Sequence, residues 1–295
     1  MTANTGLRFG ITGAHGYLGS SLAAFLRESG HEVIGLVRRI SGDSALDEER
    51  LYRLGESIDS RTLEDLDVLV HCAYDFSLAK WAEIERVNVG GTAQLLDASR
   101  RAGIERIVLI STISAFDGCK SMYGRAKLEM EKSTAQRNGI AVRPGLLYGR
   151  YRRGLFNTLA GLTLKLPVVP LVGYGDQPQY LAHVDDVSGL VLSLAQSPDL
   201  RSYPRTITAA NPTPYTLRRI LQFVANYHGL KRLFLPVPSL FIWGMLRLAE
   251  LLDLPLGFRS DSIVSLGNQD PDPIFQDSVS ELVYFRNFEE SYHSE

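Results

Sequence analysis

Apolar runs of strand length alternate with stretches of helical period through most of the chain. Leu7 to Thr12 is such a run, followed by glycines at 13, 16 and 19 and by Ser20 to Arg27. Leu18, Leu22, Phe25 and Leu26 recur there at helical spacing, so the order is strand, glycine turn, helix. Glu32 to Val37 reads as a second strand. Residues 41 to 62 are polar and irregular, with a short third strand ahead of Asp59. Asp67 to Tyr74 is a β-rich run suited to burial on both faces of a parallel sheet. A helix is expected roughly from Trp81 to Ala102, with Val87, Leu95, Leu96 and Ala98 on its apolar face and Gly103 as C-cap. Gly90 and Gly91 inside it cost about 1 kcal/mol each relative to alanine, which close packing against the sheet would explain. Arg106 to Ser111 is the fifth strand, and a helix opens at Tyr123 and continues through Lys132. Leu217 to Tyr227 is amphipathic. Leu240 to Leu252 is strongly apolar, and the chain from Asp270 onward is polar and partly irregular.

This alternation predicts an α/β fold, a doubly wound parallel sheet of Rossmann type with a smaller C-terminal substrate subdomain. The expected boundaries are 1–165 for the nucleotide-binding domain, rejoined by about 180–210, and 166–179 with 211–295 for the subdomain. At 295 residues the chain is ample for both. The net charge of −2 gives no global field favouring nucleic acid. Two cysteines make neither a disulfide framework nor a metal-ligand spacing, so no metal is expected. The N-terminal residues lack the pattern of a signal peptide, and a reducing cytoplasm is the default expectation. No apolar run reaches the ~18 residues of a spanning helix.

The chemistry begins at the glycine turn. Glycines let a backbone approach a pyrophosphate, and a helix N-terminus offers free N–H groups with the positive end of its dipole. The spacing here is G-x-x-G-x-x-G. An acidic residue after the second strand would accept from an adenosine ribose 2′-hydroxyl and favour NAD. Arg38-Arg39 stands there instead and suits a 2′-phosphate, which favours NADP over NAD. Asp59 is a candidate near the adenine. Small residues after the fourth strand, Cys72 and Ala73, would let a cofactor pass closely, and His71 reads as a strand-end packing residue. The fifth strand ends in Ser111-Thr112-Ile113-Ser114, hydroxyls at the carboxyl edge where open α/β sheets bind ligands. Tyr123 and Lys127 are four apart on one helical face. A neighbouring ammonium lowers a tyrosine pKa, so the pair can exchange a proton with a substrate oxygen while hydride moves to or from a nicotinamide.

In this order the chain resembles the short-chain dehydrogenase/reductase superfamily, extended type, which includes nucleotide-sugar epimerases, dehydratases and reductases. The matching pieces are Gly13-Ala-His-Gly-Tyr-Leu-Gly19, Asp67 to Ala73, Asn88-Val-Gly-Gly-Thr92, Ile110 to Ser114, Tyr123-Gly-Arg-Ala-Lys127, Val142 to Gly149, His183-Val-Asp-Asp-Val187 and Ile207 to Asn211. The resemblance implies that Tyr123 is the acid/base and that Lys127 lowers its pKa and holds the nicotinamide ribose. Thr112 is the best match to the catalytic hydroxyl, with Ser114 as rival. His15, Tyr17 and Leu18 in the turn, with Asn88, Ser111 and Arg143, would face the cofactor. Asp185 and Asp186, with His183, would order loops near the substrate. A homodimer through two helices per subunit, one bearing Tyr123, is also implied. Two departures are Phe116-Asp-Gly118, where the family has Tyr-Gly, and the missing acid after the second strand.

Arg150, Arg152 and Arg153 cluster past the strand of Arg143. Arginines suit phosphate oxygens, so the cluster is a candidate for a substrate diphosphate. The first functional expectation is therefore an NAD(P)-dependent epimerase/dehydratase-type enzyme on a nucleotide-linked sugar. The alternative is an NADPH-dependent reductase of a hydrophobic or steroid-like ketone, which Arg38-Arg39 and the apolar stretch 240–252 favour. That stretch reads as a lid or dimer helix, or as an interfacial membrane helix that Arg247, Glu250 and Asp253 keep from spanning. A third class, a non-catalytic cofactor-binding subunit, has no chemical need for both Tyr123 and Lys127.

Overall fold

The computed structural model describes residues 6–150, 153–252 and 259–292. In chain order the first half contains β1 (Arg8–Thr12), α1 (Tyr17–Glu28), β2 (Glu32–Val37), β3 (Glu48–Leu51), β4 (Val68–His71), α2 (Trp81–Ile84), a π-turn (Glu85–Gly90), α3 (Gly91–Arg101), β5 (Arg106–Ile110) and α4 (Met122–Ala135). The second half contains β6 (Ile140–Pro144), β7 (Leu146–Tyr148), α5 (Gly154–Lys165), β8 (Val168–Val172), β9 (Pro178–Gln179), β10 (Leu181–His183), α6 (Val184–Gln196), β11 (Thr206–Ala209), β12 (Tyr215–Thr216), α7 (Leu217–Tyr227), β13 (Leu233–Val237), α8 (Ser239–Leu251), α9 (Ser260–Gly267), α10 (Asp277–Ser280) and α11 (Phe288–Ser291).

Seven strands form one parallel sheet in the order β11-β6-β5-β4-β1-β2-β3. The chain works outward from β1 through β2 to β3, then returns to the other side of β1 with β4. The order reverses there, and the carboxyl ends of β1 and β4 flank a crevice. Strand β4 illustrates the two-sided burial. Val68 and Val70 join Leu22 of α1 and Val187 and Leu190 of α6, whereas Leu69 joins Leu95 and Leu96 of α3. A period of two with both faces apolar is what a central parallel strand requires.

Two elements differ from the sequence expectation. The third strand, Glu48–Leu51, lies at the sheet edge, and edge exposure lets it be polar, so hydrophobic patterning does not mark it. The expected helix over 81–102 is interrupted by the π-turn, which carries Asn88 fully buried. The close approach at Gly91 is to a turn, not to the sheet: a Cβ there would lie 2.5 Å from the Gly55 nitrogen. At Gly90 the nearest atom would be 3.5 Å away, so only one of the two glycines is required by packing.

Outside the large sheet, β7 pairs with β10, β9 with β12 and β8 with β13. Helices α5 and α7 pack around a second core containing Tyr148, Phe156, Ile220, Leu221 and Phe288. The polar tail thus contributes one of that core's buried rings through Phe288. It is fastened to the large domain by the Arg286–Asp186 ion pair at 2.6 Å and by the bond from the Asn211 amide to the Phe285 carbonyl.

Candidate active site

The carboxyl ends of the central strands open on a cleft of about 840 Å³. Gly13, Gly16, Tyr17, Leu18 and Gly19 form one wall. Gly13 has φ +68°, and a Cβ on it would sit 3.0 Å from the Ala73 Cα. A Cβ on Gly19 would lie 2.2 Å from the Gly13 carbonyl oxygen. Gly16 occupies the N-cap of α1 without a side-chain cap, so the first N–H groups of the helix are left for an anion. These features fit a dinucleotide pyrophosphate.

One end of the cleft is basic. Arg38, Arg39, Ser41, Tyr52, Arg53 and Leu54 line it with His15. Glu49 shapes this end from behind. Its carboxylate accepts from Ser41 N (2.8 Å), Gly42 N (2.6 Å) and Ser41 Oγ (3.0 Å), and contacts His15 Nε2 at 2.7 Å. Against the cost of burial, these donors hold the carboxyl at about 2. Asp59 is elsewhere: it accepts from Arg61 N at 3.0 Å, capping a short 3₁₀ turn, and does not line the cleft. The Tyr52–Leu54 segment after β3 takes the place at the cleft expected for it.

Cys72 and Ala73 line the floor. Burial pushes the Cys72 thiol up to about 12. Asn88 does not line the cleft; it holds the loop that does, accepting from Asp75 N at 2.7 Å and donating to Asp75 O at 3.3 Å. His71 packs at the strand end between two threonines. Thr92 donates its hydroxyl to Asn88 O (2.6 Å), so it accepts from His71 Nε2–H (2.9 Å), and Nδ1 accepts from Thr12 (2.7 Å). That order assigns one neutral tautomer. Burial, reinforced by the Lys127 charge, lowers the imidazole to about 3.

Thr112, Tyr123 and Lys127 meet at the other end. The Lys127 ammonium donates to the last carbonyl of β5, Ile110, at 2.7 Å and lies 5.9 Å from the Tyr123 ring centroid. Burial lowers Lys127 to about 8, with Cys72 and Glu131 opposing. Burial raises the Tyr123 phenol above its ordinary value, and a hydrogen bond with Thr112 opposes that. Ser114 is buried, donates its N–H to Thr112 Oγ1 at 3.2 Å, and does not line the cleft. Ser111 lines it but donates to Glu131, which also takes Arg143 through bonds of 2.8 and 2.6 Å. Arg143 itself stays off the cleft wall; its neighbour Pro144 is on it. Tyr74 meets the Tyr123 ring edge-on at 5.0 Å, and Phe76 tilts against it at 5.3 Å.

The helix carrying Tyr123 is fixed from the far end of the chain. Ser121 caps it through Gly124 N at 3.0 Å, and the Asp261 carboxylate accepts from Met122 N (3.0 Å) and Tyr123 N (2.9 Å). Arg259 donates to the carbonyls of Phe76 and Leu78, and Asn268 accepts from Lys120 N. Nothing local in the sequence marks Asp261.

The residues expected to meet the substrate lie apart from this end. Arg150, at φ +47°, bridges Glu28 and Asp185, tying α1 to α6. His183 caps α6 by accepting from Asp185 N at 3.2 Å. Arg153 donates to the His15 carbonyl at 3.4 Å, beside the glycine turn. None of these four lines the cleft, and Arg152 lies outside the described residues. Among the described residues no group of three or more His, Cys, Asp or Glu side chains is placed to hold a metal ion.

A doubly wound sheet and a glycine cradle define a dinucleotide-binding fold, with a Tyr–Lys pair at one end of its cleft. The sequence model of the NAD dependent epimerase/dehydratase family matches residues 10–210, and the chain belongs to that family. An uncharacterized protein of Mycobacterium tuberculosis is 29% identical over 251 residues, 83% of this chain but 26% of that protein. The chain thus spans about a quarter of the length of the first curated relatives it matches. A ceramide reductase of Caulobacter vibrioides is 28% identical over 248 residues, 80% of this chain and 76% of that one. Among solved structures, a UDP-glucuronic acid 4-epimerase from Bacillus cereus, in complex with a UDP-sugar analogue and NAD, superposes with a TM-score of 0.70. It is 19% identical and covers 96% of this chain and 94% of that one. That likeness is one of fold.

Proposed function

We propose that the protein is an NADP-dependent reductase of a hydrophobic ketone, or the reverse dehydrogenase, rather than the nucleotide-sugar enzyme that the sequence first brings to mind. One observation carries this reading, the uneven placement of charge along the cleft. The arginines that line it, 38, 39 and 53, stand at the adenosine end. Around Tyr123 the wall includes Tyr74, Phe76 and Thr112, and Lys127 is the one cation that lines it among the described residues; Arg259 stands behind this end with its guanidinium taken by the Phe76 and Leu78 carbonyls and by Glu250. A substrate diphosphate would lack the donors it requires there, whereas an apolar body would bury well. The likeness to a ceramide reductase supports the same substrate class.

Bound NADPH would supply hydride to the carbonyl carbon. Thr112 holds the carbonyl oxygen with its hydroxyl. Tyr123, kept protonated by its surroundings, gives its phenolic proton to that oxygen as the C=O bond becomes CH–OH. The Lys127 ammonium favours the phenolate left behind until solvent returns the proton. Arg38 and Arg39 carry no ion pair among the described residues and are available to a 2′-phosphate.

Epimerisation of a nucleotide-linked sugar is the second reading, supported by the UDP-sugar complexes of the fold neighbours. Titration of the protein with NADPH and NADH, followed by tryptophan quenching, tests the cofactor half of the proposal. A preference for NADPH of roughly tenfold or more, about 1.4 kcal/mol, that Arg38→Ala removes is expected. Tightly retained NAD would overturn it.

A further inference from the structure

Helix α8 is apolar around most of its circumference, but only part of it is covered. Leu246 and Ala249 are buried, and Leu246 packs with Ile263, Leu266 and Leu159. A second stripe, Phe241, Met245, Leu248 and Leu252, follows the 4-3-4 spacing of one helical face and stays in solvent. Phe241 is 61% exposed and Leu248 59%, with Leu240 beside them at 76%. Pro238 joins this helix directly to β13. Strand β13 pairs with β8 so that Leu233 faces Val168 and Leu235 faces Pro170. All four are exposed, so the first two rungs on one side of this ribbon are apolar and open, while the third, Val172 opposite Val237, closes onto the core beside Leu246. Exposed apolar surface of this extent marks an interaction site.

Charge indicates the occupant. No Asp or Glu occurs from 154 to 175 or from 227 to 249, although the chain as a whole carries a net charge of −2. Over the same stretches stand Lys165, Lys231, Arg232 and Arg247; Arg247 pairs with Glu250 at 2.9 Å and Arg232 donates to the Thr163 and Leu164 carbonyls, which leaves Lys165 and Lys231 to carry the open charge. Lys165 and Lys231 precede the two parallel strands, so they sit at the same end of the ribbon, both exposed. Trp243, 39% exposed, adds the amphipathic ring favoured at a headgroup boundary. No helix among the described residues is long and apolar enough to cross a membrane.

We infer that the open face of the β8–β13 ribbon and the outer stripe of α8 form a docking surface for an anionic lipid bilayer. The apolar side chains enter the headgroup–acyl boundary, and Lys165 and Lys231 meet the lipid phosphates. The inference is separate from the substrate proposed above, since it is read without turnover.

The test is co-sedimentation of the full chain with phosphatidylcholine vesicles, with and without phosphatidylglycerol, while Trp emission is recorded. Binding to the anionic vesicles, weakened by salt, with a blue shift that Trp243→Phe removes, is expected. The surface variant Phe241→Asp/Leu248→Asp should abolish it. Lys165→Glu and Lys231→Glu, both at exposed positions, should each weaken binding roughly fivefold; circular dichroism checks that all variants stay folded. No binding at millimolar lipid would overturn the inference, as would binding that the variants leave unchanged. A concentration-dependent dimer that shields Trp243 and ignores vesicles would overturn it too, assigning the face to a second copy of the chain.

Discussion

The carboxylate of Asp261 accepts the backbone N–H of Tyr123 at 2.9 Å, across 138 positions of sequence. The C-terminal segment therefore caps the helix that presents the acid/base. A carboxylate at a helix N-terminus satisfies orphan donors and complements the dipole. Asp261→Ala should cost about 1 kcal/mol of stability and lower kcat, while the NADPH dissociation constant changes little. Asp261→Ser, able to accept one of the two bonds, should restore part of the loss. Thermal melts and steady-state kinetics on both variants check this; unchanged kcat in Asp261→Ala would remove Asp261 from the positioning of Tyr123.

The direction of catalysis should show in pH. Burial raises the Tyr123 phenol and brings Lys127 down to about 8. Reduction needs the phenol, which persists through neutral pH, so its rate should be flat there and fall on the alkaline side. Alcohol oxidation needs the phenolate and should rise as pH increases. Tyr123→Phe should abolish both directions, and Lys127→Met should remove most of kcat. Rate profiles in the two directions measure these effects.

His71 gives the fold an acid-sensitive point. Its folded value is about 3 against 6.5 for the free group. The unfolded chain takes up this proton first, so the contribution is complete above 6.5 and declines as pH falls from there towards 3. His71→Phe should lower stability at neutral pH, because Thr12 and Thr92 lose their partner, and should flatten the slope of melting temperature against pH below 6.5. A slope equal to that of the unmodified protein would contradict the buried neutral tautomer.

The basic end of the cleft depends on Glu49 in the same indirect way. Its carboxyl, held at about 2 rather than 4.5, gathers the Ser41–Gly42 turn behind Arg38 and Arg39. Glu49→Gln keeps the size but offers one acceptor oxygen, so NADPH affinity should drop several-fold. NADH affinity, which does not use a 2′-phosphate, should fall less. Paired titrations decide it.

Much of this was legible in the sequence, because parallel-strand burial and glycine geometry act locally. Leu7 to Thr12, the three glycines and the Tyr123–Lys127 spacing each carry their reason within a few residues. What escaped depends on distance or exposure. Strand β3 is polar because one of its edges is unpaired, so no apolar period announces Tyr52 to Leu54. Asp261 and Arg259 reach Tyr123 and Phe76 only through the tertiary fold. The cluster at Arg150 to Arg153 looked like a phosphate site because residue type is visible and partners are not; Glu28 and Asp185 occupy Arg150. Asn88 likewise serves the cleft by holding Asp75.

The two readings of the protein differ in what enters the aromatic end of the cleft. The most direct measurement follows nicotinamide absorbance when the protein and NADPH are given a long-chain or steroid ketone, and separately a UDP-hexose scored for interconversion of its isomers. Stoichiometric NADPH consumption with the hydrophobic ketone, lost in Tyr123→Phe, and an unchanged UDP-hexose are expected. Interconversion of the UDP-hexose on tightly retained NAD, with the ketone left untouched, would contradict the reductase reading.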